Sequence, residues 1–178
     1  MSSRQQLSQN FYLDEFLRSE TAARCGIDMS ISDNGIIQTH LFLLANSVLQ
    51  PLRDHFGVPV TIISGYRPAA LNRKVKGAKD SAHLYGYAAD IRVAGKTPLE
   101  VAEWIADNIK DFDQVINEFD SWVHVAIKIN PLHGEPRKQC LTAIKVKRFL
   151  KSKTDYVHLL WTTELAHKFY LKGKLRAF

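Results

Sequence analysis

Apolar positions along the chain change their period several times, and each change marks an element. Leu13, Phe16 and Leu17 recur at helical spacing around Asp14 and Glu15, with Gly26 as a stop, which predicts a short helix over 13 to 24. From Asp33 or Asn34 a longer helical run passes through Ile37, Leu41, Leu44, Val48, Leu49 and Leu52 to Gly57. This is the expected central helix, with a kink at Pro51. Val58-Pro59-Val60-Thr61-Ile62-Ile63 is short and β-branched, a strand that enters a turn at Ser64-Gly65. Pro68 suits the first turn of a short helix to about Val75. Thr97 as N-cap, Pro98 and Glu100 open a helix to about Lys110, with Val101, Trp104, Ile105 and Ile109 inward. Two strands over about 113 to 119 and 122 to 128 lie close enough to form a hairpin. A further strand is expected at 140 to 146, then a final helix over 154 to 171 closed by Gly173. Along that helix Val157, Trp161, Leu165 and Phe169 recur every four residues, and Leu160 and Tyr156 widen the stripe.

Helices mixed with neighbouring strands give an α+β domain, a small antiparallel sheet flanked by helices. A chain of 178 residues with 46% hydrophobic content fits one domain with a real core. No segment is disordered by composition, and no repeat or linker divides it. The net charge of +6 is unevenly placed. Residues 145 to 178 carry nine Lys or Arg against Asp155 and Glu164, while the residues before them are near neutral. The chain is therefore read as a body over 1–145 and a basic C-terminal extension over 146–178, whose amphipathic helix packs on the same domain. Cys25 and Cys140 stand alone without CxxC spacing, which excludes a disulfide framework and a thiolate metal site. Both are expected to be free, buried thiols. The first nine residues lack the apolar core of a signal peptide, and no stretch reaches the length of a transmembrane helix, so a cytoplasmic product is expected on synthesis.

The chemistry concentrates in Ser81-Ala82-His83-Leu84-Tyr85-Gly86-Tyr87-Ala88-Ala89-Asp90 and in Trp122-Val123-His124-Val125. Two histidines and one carboxylate, with an open position for water, are a known catalytic zinc set, and His83, Asp90 and His124 supply it. On a strand over 86 to 92, Asp90 shares its face with Gly86 and Ala88, whose small side chains leave space for an ion. On the second strand Val123, Val125 and Ile127 form an apolar face, and His124 projects from the opposite one beside Trp122 and Ala126. Singly, each ligand reads as a structural or surface residue; the set points to a metal. His40, His55, His133, His158 and His167 have no ligand spacing to it.

These segments resemble the zinc D-Ala-D-Ala carboxypeptidases and related peptidoglycan peptidases of the hedgehog-like fold, small bacteriophage endolysins among them. The family pattern SxHxxGxAxD is met by Ser81, His83, Gly86, Ala88 and Asp90, and the later WxH element by Trp122 and His124. Ser64-Gly65-Tyr66-Arg67 matches the family's SGYR segment, and Leu71-Asn72 stands where a similar pair is common. The likeness covers roughly residues 10 to 145. It implies one zinc ion on His83, Asp90 and His124, and hydrolysis of an amide bond in peptidoglycan stem peptides, as a D-Ala-D-Ala carboxypeptidase or an endolysin-type endopeptidase. It also implies that Arg67 neutralises the tetrahedral intermediate or anchors a substrate carboxylate, for which a guanidinium offers fixed paired donors. Ser81 either hydrogen-bonds the substrate backbone or caps the turn before His83.

The chain departs from the family at the general base. Many relatives place an acid three residues before the last zinc histidine, where this chain has Ser121. Glu118 and Asp120 are the nearby acids. A two-residue turn at Asp120-Ser121 would pair Glu118 with Val123 on the core face and bury a carboxylate, at a cost of several kcal/mol. A three-residue loop, Phe119-Asp120-Ser121, pairs Glu118 with Trp122 on the face of His124. The second register is expected, with Glu118 as the base that takes a proton from the zinc-activated water and returns it to the leaving amine. Asp120 is the reserve, otherwise a turn residue.

The basic extension has three readings. Its apolar stripe docks on the body; or its basic face, with Tyr156, Trp161, Phe169 and Tyr170, binds an anionic envelope surface or membrane; or its charge attracts nucleic acid, for which no recognised motif is present. A monomer is expected. The resemblance implies a phage lysis enzyme or a virion-associated wall enzyme, an expectation with which an N-terminus lacking a signal-peptide core accords. The competing reading is a non-catalytic cell-wall-binding or structural virion module that keeps the fold and loses turnover, because position 121 lacks the usual acid.

Overall fold

The computed structural model describes residues 4–31, 35–128, 134–148, 151–158, 162 and 164–166. β1 (Gln6–Ser8) and β2 (Phe11–Tyr12) form a small antiparallel sheet. β3 (Val60–Ser64), β4 (Ala88–Val93), β5 (Phe112–Glu118), β6 (Trp122–Ile127), β7 (Gln139–Arg148) and β8 (Lys151–Val157) form a six-stranded sheet in the order β3-β4-β6-β5-β7-β8. Its pairings are antiparallel except that of β5 with β7. The helices are α1 (Leu13–Phe16), α2 (Glu20–Cys25), α3 (Ile36–Leu44), α4 (Gln50–Phe56), α5 (Ala69–Lys74) and α6 (Pro98–Asn108). The class is α+β in a single domain, and the main sheet is larger than the apolar pattern suggested, with one parallel pair.

Alternation along the strands decides which face is covered. Ala89, Ile91, Val93, Val115, Val123 and Val125 turn inward and meet Leu41, Leu44, Val48, Leu49 and Leu52 from the long helical run and Val101 and Ile105 from α6. Each fully buried Leu, Ile or Val contributes roughly 1.5–3 kcal/mol through the apolar surface it removes from water. Thr97 accepts from Glu100 N–H while Glu100 accepts from Thr97 N–H, the capping box its sequence promised. The other face of β4, β6 and β5 carries Asp90, His124 and Glu118 beside a smaller apolar cluster of Ile116, Leu141 and Ala143.

Five expectations change. The first helix divides into α1 and α2, because the Ser19 hydroxyl accepts the Ala22 N–H at 3.2 Å and starts a new helix there. The long helix carries a π segment, Ala45–Leu49, in which the Gln50 N–H reaches Ala45 O; Pro51, with no N–H to give, stands in the first turn of α4. Gly35, at φ 83°, occupies the N-cap of α3, and Asp33 and Asn34 lie outside the described residues. Residues 154 to 157 are strand, not helix: Thr154 and Tyr156 are good strand formers, and their partners on β7 are Lys145 and Ala143. Of the remaining expected helix, only His158, Thr162 and a helical turn at 164–166 are described. Cys25, at the end of α2, is exposed, and Cys140, near the start of β7, is only partly buried although it packs against the core, so neither is the buried thiol expected.

Candidate metal centre

β4 and β6 are antiparallel neighbours with Asp90 directly opposite His124. The alternation that sends Ala89, Ile91, Val123 and Val125 into the core sends these two side chains to the opposite face. His83 arrives from a 3₁₀ turn, Ala82–Tyr85, which ends at Gly86 with φ 74°. A Cβ there would stand 3.0 Å from Ile37 O and 3.1 Å from Ile37 Cγ2. Gly86 thus serves a left-handed turn and the close approach of α3. It does not clear space for an ion, because the strand begins only at Ala88; Ala88, opposite Ala126, keeps that place on the Asp90 face.

Three donor atoms converge. His83 Nε2 is 3.1 Å from Asp90 Oδ1 and 3.1 Å from His124 Nδ1, and His124 Nδ1 is 2.9 Å from Asp90 Oδ1. The Gly65 carbonyl accepts from His83 Nδ1 at 2.7 Å, which assigns the proton of the neutral ring to Nδ1 and leaves Nε2 bare. His83 is 1% exposed, and burial lowers its pKa against the upward pull of Asp90. Burial works to raise the Asp90 carboxyl, but the closeness of His83 and His124 holds it well below the usual carboxylate range, so it is ionised. A bare imidazole nitrogen and an ionised carboxylate oxygen in contact repel one another unless a cation lies between them. Zinc with N and O ligands at about 2.0–2.2 Å separates tetrahedral ligands by roughly 3.3 Å, close to this triangle. The donor set fits such an ion.

Arg67 follows β3 and is held by its backbone: Tyr66 N–H donates to Phe16 O and Arg67 N–H to His83 O, both at 3.0 Å. Its Nη2 lies 3.4 Å from Asp90 Oδ2, while Nε is buried and has no partner among the described residues. Burial lowers the guanidinium's pKa and Asp90 and Glu118 raise it, and an arginine so placed stays charged.

The hairpin closes through Phe119-Asp120-Ser121, with Phe119 at φ 57° and Asp120 at φ 51°, and pairs Glu118 with Trp122 and Ile116 with His124. Glu118 therefore shares the face of His124. Burial, then the charge of Asp90, raises its pKa, while His124 and Arg67 work the other way. Asp120 accepts from Asn117 Nδ2 at 2.6 Å within the turn and does not line the cavity of the metal ligands. Ser81 stands at the N-cap of the 3₁₀ turn, but its hydroxyl makes no capping bond, and it lines the cavity.

That cavity, about 510 Å³, brings together Arg67, Ser81, His83, Asp90, Glu118, Trp122 and His124. It also contains Lys76, Arg137 and Tyr156, which the motifs do not identify. The alternating Thr154 and Tyr156 were the available signal for the last of these, hidden by a four-residue apolar stripe that starts at Val157. The Leu71-Asn72 pair braces the rim: Asn72 Nδ2 donates to Ala78 O at 2.8 Å and Gly77 N–H to Asn72 O at 2.9 Å.

Among curated proteins none matches the chain. A family model described as Peptidase M15 matches residues 9–126. This span, well over half of the chain, contains the three converging ligands with Arg67 and Glu118, and it stops before β7. The chain belongs to the peptidase M15 family of metallopeptidases, the zinc D-Ala-D-Ala peptidases whose motifs it carries.

Proposed function

We propose that the protein is a monozinc peptidase that hydrolyses an amide bond in the stem peptides of bacterial peptidoglycan and acts at the cell wall, as a carboxypeptidase or an endolysin-type endopeptidase. The observation that carries this reading is the triangle of His83 Nε2, Asp90 Oδ1 and His124 Nδ1, with edges of 2.9 to 3.1 Å, in a cavity shared with Arg67 and Glu118. Two imidazole nitrogens and one carboxylate favour zinc over the harder magnesium and calcium, which prefer oxygen. Zinc bound there lowers the pKa of its water to about 7 and polarises a carbonyl.

The chain's own groups divide the remaining work. Glu118, on the metal-facing side of the hairpin, accepts the proton of the attacking water and passes it to the leaving amine. Its raised pKa suits both acts, since a weaker acid is a better base and still returns its proton near neutrality. Arg67, charged and lining the same cavity as the metal ligands, stabilises the oxyanion that develops on the carbonyl. The Gly65 carbonyl fixes the ring of His83, and Ser81, which lines the cavity, is assigned the bond to the substrate backbone. Lys76 adds positive charge to the walls, which suits a substrate carrying carboxylates, while Arg137 is held in an ion pair with Asp113.

The test is digestion of purified peptidoglycan by wild type, Glu118→Ala and His124→Ala, with released amine, product masses and bound zinc measured together. Wild type should release amine and carry one zinc, and both variants should lose turnover. Stoichiometric zinc without amine release would leave a cell-wall-binding module in place of an enzyme. Full activity in Glu118→Ala would remove only the assignment of the base.

A further inference from the structure

One wall of the cavity comes from a strand beyond the span of the family match. A row of directly paired residues crosses the sheet from Trp122 on β6 to Glu118 on β5, Ala143 on β7 and Tyr156 on β8. Paired residues project to the same face, and Trp122, Glu118 and Tyr156 all line the cavity. Ala143 is small enough to let the ring of Tyr156 lean across it toward Glu118. Two strand spacings separate Tyr156 from Glu118, about 10 Å at the backbone, a gap that a substrate on Glu118 and a tyrosine side chain can close between them. The ring packs on the cluster of Ile116, Leu141 and Ala143, which fixes it, while its hydroxyl has no hydrogen bond among the described residues. Burial, followed by the charges of Glu118 and Asp90, raises the phenol's pKa, so it keeps its proton and can donate.

We infer that Tyr156 is a substrate-binding residue, donating its phenolic hydrogen to a carbonyl or carboxylate oxygen in the leaving half of the substrate peptide. This rests on the peptidase reading, in which Glu118 passes a proton to the leaving amine and so places that half of the substrate on its own side of the metal. Tyr156 is thereby withdrawn from the aromatic set once assigned to an envelope surface.

The test uses the full-length, zinc-loaded chain and Tyr156→Phe, which keeps the ring and its packing and removes only the donor. Amine release from purified peptidoglycan should fall about three- to tenfold, the range for one neutral hydrogen bond. Binding of the synthetic stem pentapeptide L-Ala-D-Glu-L-Lys-D-Ala-D-Ala to Glu118→Gln protein, measured by calorimetry, should weaken by a similar factor when Tyr156→Phe is added. Zinc content and Tm should not move. Equal rates and equal pentapeptide affinities with and without the hydroxyl overturn the inference and leave the peptidase reading intact. A wild type that releases no amine overturns the peptidase reading, and the calorimetric comparison, which needs no turnover, still decides the role of Tyr156: absent or unchanged binding overturns it.

Discussion

Glu118 shows how much one side chain depends on its surroundings. Facing solvent it would be an ordinary acid; under the sheet's polar face, with Asp90 near, it holds its proton more tightly. Replacing it with glutamine keeps the shape and removes the base, so kcat should fall by about 10²–10⁴ while bound zinc, read by metal analysis, stays constant. The sign of the pH dependence follows from the same shift. Only the ionised carboxylate accepts a proton, so kcat/KM should rise with pH along a limb lying above the ordinary glutamate value of about 4.3. In Glu118→Gln that limb should disappear. A limb unchanged in the variant would assign it to another group.

Elements carry the next level of constraint, and Gly65 concentrates it. A Cβ on this residue would fall 2.7 Å from both Cα and O of Phe16, backbone atoms that cannot step aside cheaply. The same residue's carbonyl holds His83, and the next two residues lead to Arg67. Gly65→Ala should cost about 1–3 kcal/mol of stability by thermal unfolding, the usual range for overpacking, and should also weaken zinc binding in a competition titration. The ligand set was legible in the sequence because His83 and Asp90 are close in the chain and strand alternation sets the direction of Asp90 and His124. The hairpin register was legible too, since only the three-residue loop spared Glu118 from the core. Gly86 was misread because spacing alone does not distinguish a strand residue from a left-handed turn. Tyr156 was hidden by competition between two periods: its strand partner, Ala143, belongs to β7, whose own parallel pairing with β5 is long-range and leaves no local trace.

At the scale of the whole molecule the metal triangle ties the 3₁₀ turn to β4 and β6, segments held otherwise by backbone pairing and by the core behind them. An ion that binds only the folded chain stabilises it by mass action, about 4 kcal/mol at a thousandfold excess over Kd. Chelation should therefore lower Tm by about 8–16 °C for a chain of this size, and His124→Ala protein should show no such change with added zinc. The order β3-β4-β6-β5-β7-β8 has a different consequence at its far end. Among the described residues β8 pairs on one side only, with β7, and so stands at the end of the strand order. Lysines are a common guard on such edges, and β8 carries Lys151 and Lys153. Whatever the basic extension attracts, a net charge of +6 also sets two copies of the chain against each other, and colloidal stability in concentrated or salty solution is where that repulsion would first be missed.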